Sequence, residues 1–299
     1  MAPRYLKLKP DELKRRIKTA WQLAQQCRLC PHQCGVDRCN DEIGLCGIGA
    51  QAQVASYGAH PGEERPLSGT FGSGTIFFSG CNLHCIYCQN FDISQQPSGP
   101  TVSSQELANM MLDLQRRGCH NINFVSPTHV VPQILEALFA AIKGGLSLPL
   151  VYNTGGYDAL PALRLLEGIF DLYLPDMKYQ NGALAKSLSN AQDYPAINRR
   201  ALREMHRQVG DLEVDEEGIA IKGLLIRHLV LPNDLADTPN AMAFVAERLS
   251  PNTAVNVMGQ YRPEYRAHEA PKINRPVTRD EVRAAIEAAR EAGLHRLNL

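Results

Sequence analysis

Cys81, Cys85 and Cys88 fall within the eight residues CNLHCIYC, a Cys-x3-Cys-x2-Cys spacing. Thiolates are soft ligands that suit zinc or iron–sulfur clusters. A structural zinc site or a closed cluster takes four protein ligands, and this loop brings three. A [4Fe–4S] cluster seated on it therefore keeps one iron open to another ligand. The alternative is a zinc site completed by His84 or by a distant residue. The spacing, and the position directly after an apolar run, favour the cluster.

A second group lies upstream, where CRLCPHQCGVDRCNDEIGLC carries Cys27, Cys30, Cys34, Cys39 and Cys46. Cys27, Cys30, Cys34 and Cys46 read as C-x2-C-x3-C-x11-C, four thiolates for one site holding either zinc or an auxiliary iron–sulfur cluster. Cys39 is left over, as a free thiol or an alternate ligand. The ninth cysteine, Cys119, stands apart and reads as a small buried hydrophobe. Cysteines gathered in this way point to metal ligation rather than to a disulfide framework. The opening MAPRYLKLKPDELKRRIKTAW has no long apolar run, so neither a secretory signal nor a membrane span is expected. A cytoplasmic location with reduced thiols follows as an expectation.

These ligands need elements to hold them. The chain has 299 residues, 44% of them hydrophobic, enough for a sizeable core. Lys plus Arg and Asp plus Glu each number 31, a balance that argues against general nucleic-acid or membrane-surface binding. A helix is expected over 11–26. The Cys-rich stretch, punctuated by Pro31, Gly35, Gly44 and Gly47, then suggests a small irregular module, and 58–73 reads as a connection. From residue 74, apolar runs at 75–79, 121–125, 148–153, 169–174, 223–231 and 253–258 alternate with helical patterns near 102–116, 130–142, 158–166, 182–208 and 235–249. Alternation of this kind indicates βαβ units and a parallel sheet, open or barrel-like, with ligands at the carboxyl ends of the strands. Residues 211–223 suggest a hairpin into the fifth strand, and Thr278 with Glu281 a capping box opening a last helix near 278–292.

CNLHCIYC resembles the signature of the radical S-adenosylmethionine (radical SAM) superfamily, including the aromatic Tyr87 before the third cysteine. The resemblance implies an α/β fold with a partial (β/α)6 barrel, here preceded by a small cysteine-rich metal-binding module. It implies that Cys81, Cys85 and Cys88 hold a [4Fe–4S] cluster whose open iron binds S-adenosyl-L-methionine. One electron then cleaves SAM to methionine and a 5′-deoxyadenosyl radical, which takes hydrogen from a substrate. Tyr87 would pack near the adenine. Within the superfamily the chain is similar to pyruvate formate-lyase activating enzyme-like proteins, through NINFVSPTHVVPQI, VYNTGGYD, YLPDMKY, RHLVLP and VNVMGQYRP. Asp176 and Lys178 resemble an Asp-x-Lys pair that helps hold SAM. The Gly-Gly-Glu that activating enzymes carry after the second strand is replaced here by a stretch in which Ser126 and Thr128 offer acceptors. Asn153 and Thr154 would contact the SAM ribose or carboxylate. Of Arg227 and His228, which alternate on one strand, one must face the site; His228 is carried as a candidate, with Gln260 and Tyr261 as weaker ones.

The resulting expectation is a radical SAM oxidoreductase, with residues 1–57 forming the amino-terminal helix and cysteine-rich module and 58–299 the barrel and last helix. Its target is a glycine of a partner protein, as for a glycyl-radical activase, or a peptide or small molecule. Its partners would be an electron donor such as flavodoxin or ferredoxin and, for an activase, the protein substrate. An iron–sulfur electron carrier or zinc-stabilised binding protein without SAM chemistry is the alternative of another class.

Overall fold

The computed structural model describes residues 2–96 and 98–298. Helix α1 (Pro10–Gln25) begins with proline, whose missing N–H costs nothing there, and buries Leu13, Ala20 and Ala24. After the cysteine-rich stretch come β1 (Ala52–His60), α2 (Arg65–Ser68) and β2 (Ser73–Phe78). The loop carrying Cys81, Cys85 and Cys88 follows, then α3 (Phe91–Ser94), β3 (Thr101–Val102) and α4 (Ser104–Arg116). Next are β4 (Ile122–Val125), α5 (Val131–Lys143), β5 (Leu150–Thr154), α6 (Leu160–Leu165) and β6 (Leu172–Pro175). The chain continues through α7 (Gly182–Ser189), α8 (Tyr194–Val209), β7 (Glu213–Val214), β8 (Ala220–Leu229), α9 (Thr238–Arg248), β9 (Ala254–Met258) and α10 (Arg279–Glu291).

The strands form one mixed sheet ordered β3-β1-β2-β4-β5-β6-β8-β7, with β9 paired to β8. Strands β2, β4, β5, β6, β8 and β9 are mutually parallel neighbours in chain order. Each coincides with an apolar run of the sequence, as expected for strands covered on both faces. Ile76, Phe124, Tyr152 and Tyr173 share a large core with Leu107, Met111, Ile134, Leu138, Leu202 and Met205 from α4, α5 and α8. Val151, Leu172, Leu174, Leu225 and Ala254 form a second core with Leu67 and Leu212. The short β7 makes the expected antiparallel hairpin with β8, and Thr278 and Glu281 form the capping box of α10.

Two features differ from the sequence expectation. Residues 58–60 are not a connection but the end of β1, antiparallel to β2, and Arg65–Ser68 is a helical turn. Strand β1 crosses the boundary expected between residues 57 and 58, and Tyr5, Leu13, Ala20, Ile48 and Ala52 share the main core. The single helix expected over 182–208 is broken into α7 and α8. Asn190 adopts a left-handed φ of 53° that stops α7, and Pro195 sits in the first turn of α8. No described helix is long and apolar enough to cross a membrane.

Candidate functional site

Parallel neighbours bring all their carboxyl ends to one side of the sheet. There a cavity of about 240 Å³ is lined by Cys81, Cys85, Tyr87 and Cys88 from the loop after β2, Ser126 after β4, and Asn153 and Thr154 closing β5. Asp176 and Lys178 after β6, Arg227 from β8 and Met258 ending β9 complete it. Exposed Gln89, Asn90 and Gln260 lie at its rim. Ser126 holds a left-handed φ of 57°, unusual for a residue with a side chain, and its N–H donates to Asn153 O at 2.8 Å.

Each of the three loop sulfurs has a polar neighbour. Leu83 N–H donates to Cys81 Sγ at 3.3 Å, Ser189 Oγ to Cys85 Sγ at 2.9 Å, and Ser94 Oγ lies 3.1 Å from Cys88 Sγ. Tyr179 OH is 2.9 Å from Ser189 Oγ and also meets the hydroxyl of Tyr87, extending the chain of hydroxyls behind Cys85. Burial pushes the thiols of Cys81 and Cys85 up; the Leu83 N–H opposes this at Cys81 and the Lys178 ammonium at Cys85. Protonated, uncharged sulfurs are what an apolar pocket favours until a cation arrives.

Opposite the sulfurs stands a charge triad. Asp176 Oδ2 accepts from Lys178 Nζ at 2.7 Å, and Asp176 Oδ1 accepts from Arg227 Nε at 3.0 Å. Arg227 Nη2 also donates to Asn153 Oδ1 at 2.6 Å. Burial opposes the charge on Asp176, yet Lys178 and Arg227 hold its carboxyl below the usual range. Burial likewise opposes the charge on Lys178, but Asp176 keeps its pKa above the ordinary lysine value. Behind Arg227, burial pushes Glu63 up to about 7 against the pull of that guanidinium, 3.8 Å away. The cavity wall thus presents two cations to one firmly ionised carboxylate, which suits a ligand with a carboxylate of its own.

A model of the radical SAM superfamily matches residues 75–175, from β2 to the end of β6. An uncharacterized protein of Methanocaldococcus jannaschii is 36% identical over 297 residues, covering 96% of this chain and 81% of that protein. The chain belongs to the radical SAM superfamily. A second uncharacterized protein of the same organism is 22% identical over 292 residues, covering 90% of this chain and 79% of that protein. The solved structure of HydG, a maturase of the [FeFe]-hydrogenase, is similar in fold, with a TM-score of 0.51 and 13% identity. It aligns with 96% of this chain, which spans only 62% of the HydG chain.

Radical SAM chemistry implies a [4Fe–4S] cluster and SAM, and the cavity suits both. Among the described residues no three His, Cys, Asp or Glu side chains converge closely enough for a single metal ion. A cluster, with a separate iron for each thiolate, asks for a wider spacing than one ion does. The donors around the three sulfurs are the outer partners that such ligands use. When bound, the pair supplies one-electron cleavage of the SAM sulfonium and a 5′-deoxyadenosyl radical.

Not every expected residue reaches this cavity. Thr128 is buried beside it, bonded to Asp158 Oδ1 at 2.7 Å and 3.1 Å from Thr154 Oγ1. Asp158 also accepts from Thr154 at 2.8 Å and Tyr152 at 3.1 Å, so Thr128 helps anchor Thr154 instead of facing a ligand. His228 is turned away. Its ring nitrogens meet Met177 O at 2.8 Å and Thr238 Oγ1 at 2.9 Å, and the strand's alternation gives the cavity to Arg227. Tyr87 packs edge-on against Tyr179 and Tyr261, and Tyr261 spends its hydroxyl on Ile273 O at 2.8 Å. Asp158, Ser94, Ser189 and Glu63 were invisible to spacing, because their partners are distant in sequence or offer no motif.

Of the amino-terminal group Cys27, Cys30, Cys34 and Cys46, the first two are buried, Cys46 is half-buried and Cys34 is exposed. Burial pushes the Cys30 thiol up to about 12. Cys39 stands outside this group, exposed, with Sγ directed at Trp21 O at 3.8 Å.

Proposed function

We propose that this protein cleaves SAM reductively within a partial (β/α)6 barrel and passes the hydrogen-abstracting radical to a substrate, as an activating-enzyme-like radical SAM oxidoreductase. The observation that carries this reading is the meeting of Cys81, Cys85 and Cys88 with Asp176, Lys178 and Arg227 around one cavity. The sulfurs would hold three irons. Lys178 and Arg227 would receive the SAM carboxylate, with Asp176 fixing both cations in place. Asn153, Thr154 and Ser126 would meet the ribose and amine, and Tyr87 the adenine. Burial of the loop and its tyrosine wall keeps water from the reacting atoms.

The exposed rim of Gln89, Asn90 and Gln260 supports a target that approaches from outside, such as a glycine-bearing loop of a partner protein. Modification of a peptide or small molecule is the second reading. A one-electron donor such as flavodoxin or ferredoxin would supply the cluster. Of the two centres expected on Cys27, Cys30, Cys34 and Cys46, zinc is disfavoured by the absence of three converging ligands among the described residues, and an auxiliary cluster would be the remaining occupant.

Anaerobic reconstitution with iron and sulfide, followed by dithionite and SAM, tests the chemistry. 5′-Deoxyadenosine and methionine should appear, and a Cys81→Ala/Cys85→Ala/Cys88→Ala variant should make neither. Unchanged cleavage by that variant overturns the assignment. A glycyl-radical signal on an added protein substrate would select the activase reading.

A further inference from the structure

Two adjacent carboxyls, Glu63 and Glu64, lie behind the cavity residues Asn153 and Arg227, and the chemistry proposed above does not use them. They end the turn between β1 and α2. Ser68, inside α2, shares its hydroxyl proton between the carbonyls of Glu63 and Glu64 at 3.1 and 3.2 Å, and Leu67 N–H donates to Glu64 O at 2.8 Å, so the turn is fixed. From it the two side chains reach four strands. Asn153 Nδ2 on β5 donates to Glu63 Oε1 at 3.4 Å, and Arg227 Nη1 on β8 lies 3.8 Å from Glu63 Oε2. Asn256, the register partner of Arg227 on β9, donates to Glu64 Oε1 at 2.9 Å. Glu63 is also within hydrogen-bonding reach of Glu64 and of Asn123 on β4.

This meeting point is short of a donor. The Glu63 side chain is only 8% exposed, and Asn123 is fully buried. Glu64 Oε2 and Asn123 Oδ1 are buried acceptors with no partner among the described residues. An ionised carboxylate only accepts, whereas a protonated one carries an O–H. Two carboxyls side by side in so dry a place cannot both stay ionised, and one proton held by the pair resolves the conflict. The charged groups that act on Glu63 are Arg227 from β8 and Glu64 beside it, with Asp176 beyond Arg227. Burial outweighs the guanidinium and pushes the Glu63 carboxyl up to about 7. Arg227 meanwhile commits Nε to Asp176 and Nη2 to Asn153, and at 3.8 Å it stands beyond hydrogen-bond length from Glu63.

We propose that Glu63 and Glu64 hold one proton between them behind Arg227, and that this proton makes Glu63 a positioning residue for SAM. Neutral, Glu63 leaves the guanidinium to Asp176 and to the carboxylate of the ligand; ionised, it draws the guanidinium toward itself and competes with that carboxylate. The inference rests on the reading of Lys178 and Arg227 as the receivers of the SAM carboxylate and adds what sets the charge around them. With one proton on the pair, the two cations are balanced by Asp176 and a single glutamate charge. Without it, carboxylates outnumber cations where a further carboxylate has to bind. A ligand carboxylate at Arg227 raises the pair's affinity for its proton, and by reciprocity loss of the proton weakens the ligand. SAM affinity is therefore full below about pH 7 and falls above it.

The test is isothermal titration of SAM into the anaerobically reconstituted holoenzyme, without reductant, at low and high pH and in buffers of different ionisation enthalpy. Glu63→Gln puts a permanently neutral amide of the same shape in place of the protonated acid. At pH 6 the wild type and this variant should bind SAM equally well. At pH 8.5 the wild type should bind roughly three- to thirtyfold more weakly than the variant, since binding must then restore a proton. Near pH 7.5 the wild type should take up more protons on binding than the variant does. Equal proton uptake and parallel affinities in two proteins that both bind SAM overturn the shared proton, leave the SAM site intact, and assign the two lone acceptors to bridging water. No SAM binding by the wild type at either pH overturns the reading of the site itself, and the proposal with it. Should Glu63→Gln fail to fold, infrared difference spectra of the wild type at pH 7.5 decide the matter: SAM has to convert a carboxylate into a carboxylic acid, and the absence of that band overturns the proposal.

Discussion

Ser189, the last residue of α7, donates its hydroxyl to Cys85 Sγ at 2.9 Å across 104 residues of sequence. A donor aimed at a cluster thiolate stabilises the more negative, reduced state and raises the reduction potential. A net hydrogen bond is worth about 0.5–1.5 kcal/mol. At 59 mV per 1.4 kcal/mol for one electron, that is roughly 20–60 mV. Ser189→Ala should lower the midpoint potential of the reconstituted cluster by this amount with its iron content unchanged. Potentiometric titration followed by EPR measures it, and an unmoved potential would mean that the hydroxyl only fills space.

The Asp176 triad separates ligand binding from stability. Lys178→Ala leaves Asp176 paired with Arg227, so on the proposed reading its chief loss should be a charge-assisted bond to the SAM carboxylate. Such a bond is worth about 1.5–3 kcal/mol, roughly ten- to hundredfold in affinity. Arg227→Ala removes the partner of Asp176 and Asn153 together and leaves Glu63 facing a buried gap. Breaking such a buried pair costs about 3–5 kcal/mol. Binding titrations and urea unfolding of both variants check the order. Equal destabilisation by the two, with Lys178→Ala binding SAM normally, would make the lysine structural.

His129 predicts a pH effect. Burial, reinforced by the Arg38 cation, lowers its pKa from the ordinary 6.5 to about 3. The native state refuses a proton that the unfolded chain accepts. Its stabilising contribution is therefore complete above pH 6.5 and falls by about 1.4 kcal/mol per unit as the pH drops toward 3. Carboxylates titrate over part of the same range, so the observable is a difference. Unfolding free energies of wild type and His129→Gln should converge as the pH falls from 7 to 4. Parallel curves would show that His129 is protonated in the folded protein.

What was legible in the sequence was what is local or fully buried. The cluster loop shows itself because its ligands fall within eight consecutive residues, and the six parallel strands because double burial leaves unbroken apolar runs. Strand β1 escaped because much of its Gln53–His60 stretch is exposed and Gly58 interrupts it, so neither an apolar run nor a clean alternation survives. The break at Asn190 escaped because apolar residues keep helical spacing on both sides, and a single left-handed asparagine is a weak mark. Alternation put Arg227 and His228 on opposite faces, but only the fold tells which face holds the cavity.

Gly156 ties the site to its backbone. It lies two residues past β5 with a φ of 76°, where a Cβ would collide with Asp176 O and Asn198 Nδ2. Asn198 donates from that nitrogen to Gly156 O and to Asp176 O, both at 2.9 Å, so the glycine, the asparagine and the backbone of Asp176 form one close-packed joint. Gly156→Ala must therefore displace Asp176, which cannot move without disturbing Lys178 and Arg227. Gly145 is the control, because its φ of 88° carries the same backbone strain but no atom lies within 4 Å of a Cβ there. Left-handed strain alone costs about 1–2 kcal/mol. Gly145→Ala should lose about that much stability and keep its SAM affinity. Gly156→Ala should lose more, by about 1–3 kcal/mol of overpacking, and should bind SAM at least tenfold more weakly. Equal losses in the two variants, with SAM affinity preserved in both, would show that Asp176 is not held by this joint.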